Sequence, residues 1–170
     1  YREVIKQCKE VFEKKTKDYG TAWRILRLPS ITDQIFIKAQ RIRSIQIKGT
    51  QKVDDNVQSE FLGIINYCIM AMIQIELVDD ARSNLPYDEV EKLYDKMVQQ
   101  TIDLLSNKNY DYYEVCRDFR VSSMTDIILM KIFRIKQIED NDGKTLISEG
   151  VKANYQDIIN YAVFCMIKLH

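Results

Sequence analysis

An internal duplication is the feature of this sequence that most constrains its fold. When the sequence is shifted by 93 residues, residues 16–42 lie over residues 109–135 without a gap, and 11 of these 27 positions are identical. After one inserted residue, Ile64–Ile73 lies over Ile158–Ile167 with six identities in ten positions. Self-similarity at a fixed period is typical of a chain that repeats one structural unit.

The duplication predicts two units, residues 1–84 and 85–170, fused into one helical domain that covers residues 1–170. Apolar residues recur at helical spacing in both units, and the chain has only 5 Gly and 2 Pro to interrupt long helices. The same shift of 93 residues places Tyr1 over Tyr94, so the first helix is duplicated too. The predicted helices cover about residues 1–17, 30–47 and 56–80 in the first unit and 87–108, 123–138 and 150–170 in the second.

The fold class that follows is an all-α bundle of two three-helix units with pseudo-twofold symmetry. The third helix of each unit is apolar on nearly all sides, which places both at the centre. Phe61–Val78 is apolar enough to raise the question of a membrane span, but it contains Asn66, Gln74 and Glu76. A central core helix is therefore the preferred interpretation, and no membrane contact is expected.

The second helix of each unit begins with a serine followed three residues later by an acid, Ser30 with Asp33 and Ser123 with Asp126. This spacing resembles a capping box, with aspartate in place of the usual glutamate. It predicts that the two helices begin at these serines.

Composition excludes several classes of function. The 25 basic and 25 acidic residues cancel, which argues against strong non-specific binding to nucleic acid. The only histidine is His170, so a histidine-based triad or a histidine-rich metal site is not expected. The four cysteines are widely spaced and form no CxxC motif, which favours free thiols and a cytoplasmic setting.

The second helix carries Lys-x-x-Arg-Ile in both units, as Lys38 with Arg41 and as Lys131 with Arg134. This spacing puts both cations on one face of the helix, beside apolar residues, where they need partners. One interpretation is internal salt bridges to Asp18, Glu60, Asp111 or Asp157. The other is a phosphate clamp, since arginine offers a fork of donors and lysine a point charge.

The third helix repeats an asparagine among isoleucines, Asn66 and Asn160. An unsatisfied buried amide costs about 1–3 kcal/mol, so both must be hydrogen-bonded. We expect each to bond a lysine or arginine of its own unit, which would join the asparagines to the phosphate site. Asp157, three residues before Asn160, is the candidate ligand for Mg²⁺, a hard ion that takes oxygen ligands.

The loop before the second helix gathers aromatic residues and arginines. The first copy contains Asp18, Tyr19 and Trp23, and the second keeps Asp111 and Tyr112. These aromatic side chains could stack on a base or pack over the end of the bundle. Arginines follow in both loops, and with the cations of the second helix they are expected to form a basic mouth: Arg24, Arg27, Arg117 and Arg120.

These motifs, from the loop KDYGTAW to the third-helix segments SEFLGIINYCIMAMI and DIINYA, resemble the nucleotide-modification-associated domain family. The resemblance covers nearly the whole chain as two copies. It implies a small all-α domain in which an Asp-Tyr-Gly loop precedes a helix bearing Lys-x-x-Arg. The first unit keeps the loop glycine, Gly20, and the second keeps the third-helix acid, Asp157.

The layout is more distantly similar to the all-α nucleoside triphosphate pyrophosphohydrolases of the MazG and dimeric dUTPase group. That group holds Mg²⁺ with Glu-x-x-Glu on one helix and Glu-x-x-Asp on another. Here Lys-x-x-Arg stands in the first position, and Asp157-x-x-Asn160 and Gly63-x-x-Asn66 stand in the second. Exchanging two carboxylates for two cations should weaken metal binding.

The predicted function is nucleotide binding linked to nucleotide or modified-base metabolism, with a divergent MazG-like hydrolase as its finer form. The expected partner is a nucleotide-like small molecule, with Mg²⁺ as a candidate cofactor, and homodimer formation is also considered. The predicted binding residues are Lys38, Arg41, Lys131, Arg134, Asp18, Tyr19, Trp23, Asp111, Tyr112, Asn66 and Asn160. The alternative is a non-catalytic helical interaction module whose repeated polar residues only hold the two units in register.

Overall fold

The structure, a computed structural model, describes residues 1–49, 53–107, 114, 116–146 and 150–170, without the side chains of residues 53–56. Within these ranges the chain forms six α-helices and no strand, so the predicted all-α fold is confirmed. The helices are α1 (Arg2–Tyr19), α2 (Leu28–Lys48), α3 (Val53–Glu76), α4 (Tyr87–Asn107), α5 (Val121–Asp140) and α6 (Val151–Lys168), with a 3₁₀ turn at Ala22–Ile25.

The predicted start of the second helix was wrong in both units. Helix α2 begins at Leu28, where Arg27 is the extended N-cap residue and no side chain caps the helix. Pro29 explains the early start, because a proline in the first turn has the right φ and needs no hydrogen-bond acceptor. Helix α5 likewise begins at Val121, with Arg120 as its extended N-cap residue.

The third helix of each unit, α3 and α6, forms the centre of the bundle. Residues 154–166 of α6 are buried without interruption. Helix α3 packs against α6 and α2, and α6 packs against α3 and α5. The core interpretation of Phe61–Val78 is supported by full burial of Phe61 and Ile65. Among the described residues, no helix is long and apolar enough to cross a membrane.

The pseudo-twofold relation is visible in the contact between α2 and α5. Asp33 pairs with Lys136 at 2.9 Å, and Asp126 pairs with Arg43 at 3.8 Å. Arg43 and Lys136 are 93 residues apart, as are the two aspartates, so one ion pair is the image of the other. Exposed pairs contribute only about 0–1 kcal/mol each, so these mark the symmetry more than they stabilise the fold.

The same interface contains an asymmetric pair, Gln46 and its counterpart Glu139. Gln46 donates a hydrogen bond to Thr125 Oγ1 at 3.1 Å. Both carboxylate oxygens of Glu139 are buried, and neither has a hydrogen-bond partner in the described part of the chain. Burial raises the pKa of Glu139, and the nearby Thr32 hydroxyl, which is bonded to the Tyr155 hydroxyl, lowers that pKa by a smaller amount.

Candidate functional site

A cavity of about 620 Å³ opens between the second half of α1, the loop after it and α3. Four of the predicted binding residues line it: Tyr19, Trp23, Lys38 and Asn66. Small-molecule sites in proteins typically have volumes of about 300–1,000 Å³ and mostly apolar walls with a few polar groups. The cavity has this size and this lining, with Leu62, Tyr67 and Met70 among its other residues.

Gly20 ends α1 and turns the chain into the loop of residues 20–27, which carries Trp23 and is called the aromatic loop. Its φ of +62° lies in the left-handed region, which favours glycine, and its N–H donates to Thr16 O at 2.8 Å. A Cβ at this position would also lie 2.9 Å from Asn84 Oδ1 in the segment that joins the two units. The glycine therefore sets the path of the loop that carries Trp23.

Gln74, near the end of α3, holds this loop by its backbone. Its side-chain amide donates to Arg24 O at 3.0 Å and to Leu26 O at 2.8 Å. Lys168 occupies the corresponding position in α6 and donates to Arg117 O at 2.7 Å and to Phe119 O. These contacts were not predicted from the sequence, because polar residues near helix ends are usually solvated.

Arg24 does not contribute to a basic mouth, contrary to the sequence prediction. Its guanidinium donates to the carbonyl oxygens of Asp80 (2.6 Å) and Arg82 (3.0 Å), and to the Gln74 side chain. Arg24 therefore fastens the loop to the segment between the units. Arg27, Arg117 and Arg120 are exposed, and none of them lines the cavity.

Tyr19, at the end of α1, and Trp23, in the turn that follows, differ in exposure. Tyr19 is 71% exposed, at the edge of the cavity. Trp23 is half-buried, and its ring centre lies 6.3 Å from that of Phe12. Its indole N–H is buried and has no hydrogen-bond partner among the described residues. Trp23 is therefore a packed ring and Tyr19 an accessible ring beside the same cavity.

Lys38 crosses from α2 to the cavity over Gly63 of α3. A Cβ on Gly63 would lie 2.7 Å from Lys38 Cε, so only glycine leaves room for this path of the lysine. Lys38 Nζ lies 5.9 Å from the centre of the Tyr67 ring and 3.4 Å from Glu60 Oε2. Arg41 contacts the other oxygen of Glu60 at 3.3 Å. Two cations thus share one carboxylate, and both contacts are long.

The corresponding lysine of the second unit is held more tightly. Lys131 Nζ lies 2.9 Å from Asp157 Oδ2, and both side chains are largely buried. Asp157 occupies the position that Gly63 occupies in α3. Lys131 and Arg134 border a separate open groove along α5, and Arg134 forms no ion pair within the part of the chain that the structure describes.

The prediction for the repeated asparagines was wrong in its choice of partners. Asn66 accepts a hydrogen bond from the Tyr94 hydroxyl at 2.8 Å and donates to Cys8 O at 3.0 Å. Asn160 accepts a hydrogen bond from the Tyr1 hydroxyl at 2.6 Å. Tyr1 and Tyr94 are related by the shift of 93 residues, so each asparagine is bonded by the first helix of the other unit.

A phenol suits this position better than a cation, because it brings a donor into an apolar core without burying a charge. Burial raises the pKa of both tyrosines, so they remain protonated donors at neutral pH. The lysines and arginines instead lie nearer the surface, where carboxylates meet them. The match of Tyr1 with Tyr94 was the only sequence signal of this arrangement.

Three predicted loop residues remain. Asp18 is exposed and does not line the cavity, and Asp111 and Tyr112 lie outside the residues that the structure describes. Among the residues that the structure describes, no three His, Cys, Asp or Glu side chains converge to hold a metal ion. All four cysteines are free and buried, and burial raises the pKa of each thiol, so none is poised as a thiolate nucleophile.

Residues 15–75 and 108–169 each match the nucleotide modification associated domain 1. The two segments together cover more than half of the chain. The chain belongs to the nucleotide modification associated domain 1 family. No curated protein and no solved structure matches it.

The two domain copies of this family member divide the described features unequally. The first copy contains the whole lining of the cavity except Val11 and Phe12. Tyr1 and Tyr94, which bond the asparagines, lie outside both copies. The repeated family domain therefore supplies the cavity, while the helices that precede each copy connect the two copies. The family description associates the domain with nucleotide modification.

Proposed function

We propose that the first domain copy binds a nucleotide in the cavity between α1, the aromatic loop and α3. The observation that carries the proposal is the meeting of Tyr19, Trp23 and Lys38 around one space of about 620 Å³. Membership of a family associated with nucleotide modification supports the same ligand class. The base would lie against the aromatic side chains and the phosphate would lie near the Lys38 ammonium.

The geometry of Lys38 favours this role. Its contact with Glu60 is 3.4 Å long, and Arg41 stays beside the same carboxylate if Lys38 turns towards a phosphate. The exchange therefore leaves no buried acid without a cation. Stacking of a base on an aromatic side chain contributes about 1–3 kcal/mol, and a hydrogen bond to a charged group contributes about 1.5–3 kcal/mol. Burial of the nucleoside against the apolar walls of the cavity adds to these two terms.

Lys131 and Arg134 border the groove along α5, so a phosphate that they bind would lie in that groove and not in the cavity. Arg134 is exposed there, whereas Lys131 would first have to leave Asp157. The role of Asp157 as an Mg²⁺ ligand also stays a prediction. A metal ion at its carboxylate would compete with the Lys131 ammonium. A more specific form of the proposal is a divergent MazG-like hydrolase. That activity requires the bound nucleotide and a metal ion to meet at a carboxylate such as that of Asp157.

Thermal-shift measurements and isothermal titration calorimetry with a panel of nucleotides, with and without Mg²⁺, test the proposal. A ligand present at about 100 times its Kd should stabilise the protein by about 2.7 kcal/mol. Lys38→Met and Trp23→Leu should each weaken binding by about tenfold or more. The matched control is Lys17→Met, which removes a lysine that is 71% exposed on α1 and does not line the cavity.

No stabilisation by any nucleotide, or equal binding by Lys38→Met and the Lys17 control, would refute the proposal. Such results would favour the alternative of a non-catalytic interaction module. One observation favours that alternative, because Lys38, Arg41 and Lys131 all contact carboxylates of the same chain. Homodimer formation stays a prediction that analytical ultracentrifugation checks directly.

A further inference from the structure

The charges around the cavity indicate which nucleotides it can bind. Among the described residues that line the cavity, two are cationic, Lys15 and Lys38, and none is anionic. A phosphate monoester carries close to two negative charges at neutral pH. The two lysines therefore match one terminal phosphate group and offer nothing further for a longer phosphate chain.

Longer phosphate chains need more than these two lysines. Proteins that bind di- and triphosphates usually hold them with additional cations and with Mg²⁺, which the protein contacts through carboxylates. The carboxylate that contacts Lys38 is that of Glu60, and it already faces both Lys38 and Arg41. Glu60 does not line the cavity.

From these charges, and on the basis of the proposed function, we infer that the cavity selects a nucleoside monophosphate and binds it without Mg²⁺. The apolar walls, which include Leu62, Tyr67 and Met70, receive the nucleoside, and Trp23 lies against the base. The single phosphate lies at the Lys38 end. Diphosphates and triphosphates bind more weakly, because their added negative charge meets no further cation in the lining.

Gly63 is the residue that keeps Lys38 available to the phosphate. In the second unit Asp157 stands at this position and holds Lys131 at 2.9 Å. The Gly63→Asp variant would place a carboxylate beside Lys38 and copy that arrangement into the first unit. The variant thus neutralises the lysine while leaving it in the chain.

The experiment is calorimetric titration of the full chain with four ligand series, those of adenosine, guanosine, cytidine and thymidine. Each series consists of the nucleoside and its 5′-mono-, di- and triphosphates, with and without Mg²⁺. For the preferred base, the monophosphate should bind about tenfold or more tightly than the nucleoside, and Mg²⁺ should leave its Kd unchanged. The diphosphate and triphosphate should bind more weakly than the monophosphate.

Two variants assign the effect to the lysine. Gly63→Asp and Lys38→Gln should both lower the affinity for the monophosphate to that for the nucleoside, while nucleoside binding changes less than about twofold. Ligand-free circular dichroism and thermal melting establish that each variant is folded, and Lys38→Gln decides the matter if Gly63→Asp does not fold.

The possible failures are distinguishable. A triphosphate that binds more tightly than the monophosphate, or monophosphate binding that requires Mg²⁺, overturns this inference and leaves the proposed function standing. Equal loss of nucleoside and monophosphate binding in both variants also overturns it, because the lysine would then act on the whole pocket. Absence of binding throughout all four series overturns the proposed function itself.

Discussion

The hydrogen bond between Tyr94 and Asn66 should stabilise the fold measurably, and Tyr94→Phe isolates it. The Tyr94 hydroxyl donates to Asn66 Oδ1 at 2.8 Å, and both side chains are buried, with 0% and 6% of their surfaces exposed. Phenylalanine keeps the ring and its contact with Phe12, whose ring centre is 4.8 Å away. The substitution therefore removes one donor and creates almost no cavity.

The expected loss follows from what remains behind. Asn66 keeps its own donated bond to Cys8 O at 3.0 Å, which holds the amide in place. Its carboxamide oxygen then faces the ring of the introduced phenylalanine, while the Asn66 side chain as a whole stays buried. A buried acceptor left without a donor costs about 1–3 kcal/mol. In a chain of this size that loss lowers Tm by about 2–4 °C for each kcal/mol.

Urea unfolding followed by far-ultraviolet circular dichroism measures the change in the free energy of unfolding. Tyr1→Phe is the matched control, because Tyr1 makes the equivalent bond to Asn160 at a half-buried position and should lose less. Adding Asn66→Leu to Tyr94→Phe should recover part of the loss, since both polar groups are then removed. A loss below about 0.5 kcal/mol for Tyr94→Phe, which is typical of surface positions, would refute the reasoning.

Three further outcomes are expected. Because burial raises the pKa of Glu139, its carboxyl group favours the fold when protonated, and this contribution is lost as pH rises through the folded-state pKa. Glu139→Gln should therefore match the parent in unfolding free energy near about pH 4 and exceed it near about pH 8, and equal pH profiles would contradict this. Gly20→Ala should lower the unfolding free energy by about 1 kcal/mol or more, because φ is +62°, whereas an unchanged urea midpoint would refute the strain argument. Lys131→Met should lower the unfolding free energy by about 1.5–3 kcal/mol through loss of its 2.9 Å bond to Asp157, and Lys38→Met should lower it less. The reverse order in urea unfolding would be evidence against the difference between the two units.

The sequence predicted the fold well because the relevant signals are local and repeated. Helical spacing of apolar residues located the six helices, and the duplication gave their arrangement in two related units. The helix starts were missed because the serines at positions 30 and 123 offered a capping pattern that the backbone does not use. Pro29 was the stronger signal in the first unit, since its ring fixes φ regardless of any side-chain bond.

The candidate site was predictable only where neighbouring segments supply it. Tyr19 ends α1 and Trp23 lies in the turn that follows, which leads directly into the helix that carries Lys38, so their meeting follows from short connections. The role of Gly63 beside Lys38 was not predicted, because a glycine inside a helix has no side chain whose chemistry would indicate a role. Its meaning appears only when the path of Lys38 over it is known.

The asparagine partners could not be predicted because they depend on which first helix packs where. Spacing along the chain cannot distinguish a tyrosine that serves its own unit from one that serves the other. A buried amide does need a hydrogen-bond partner, as predicted. The predicted cation is the wrong partner because removing its charge from water costs too much free energy. Tyr1 and Tyr94 satisfied the same need as neutral groups.

The reciprocal bonds of Tyr1 to Asn160 and of Tyr94 to Asn66 make the two halves of the chain mutually dependent. If the chain were cut between α3 and α4, each fragment would retain a buried asparagine whose tyrosine donor had left with the other fragment. The two fragments should consequently restore each other's fold when mixed, and neither should fold fully alone. A single copy with the same bonds would satisfy its asparagine only through a second molecule, so joining two copies in one chain makes the association intramolecular and independent of concentration.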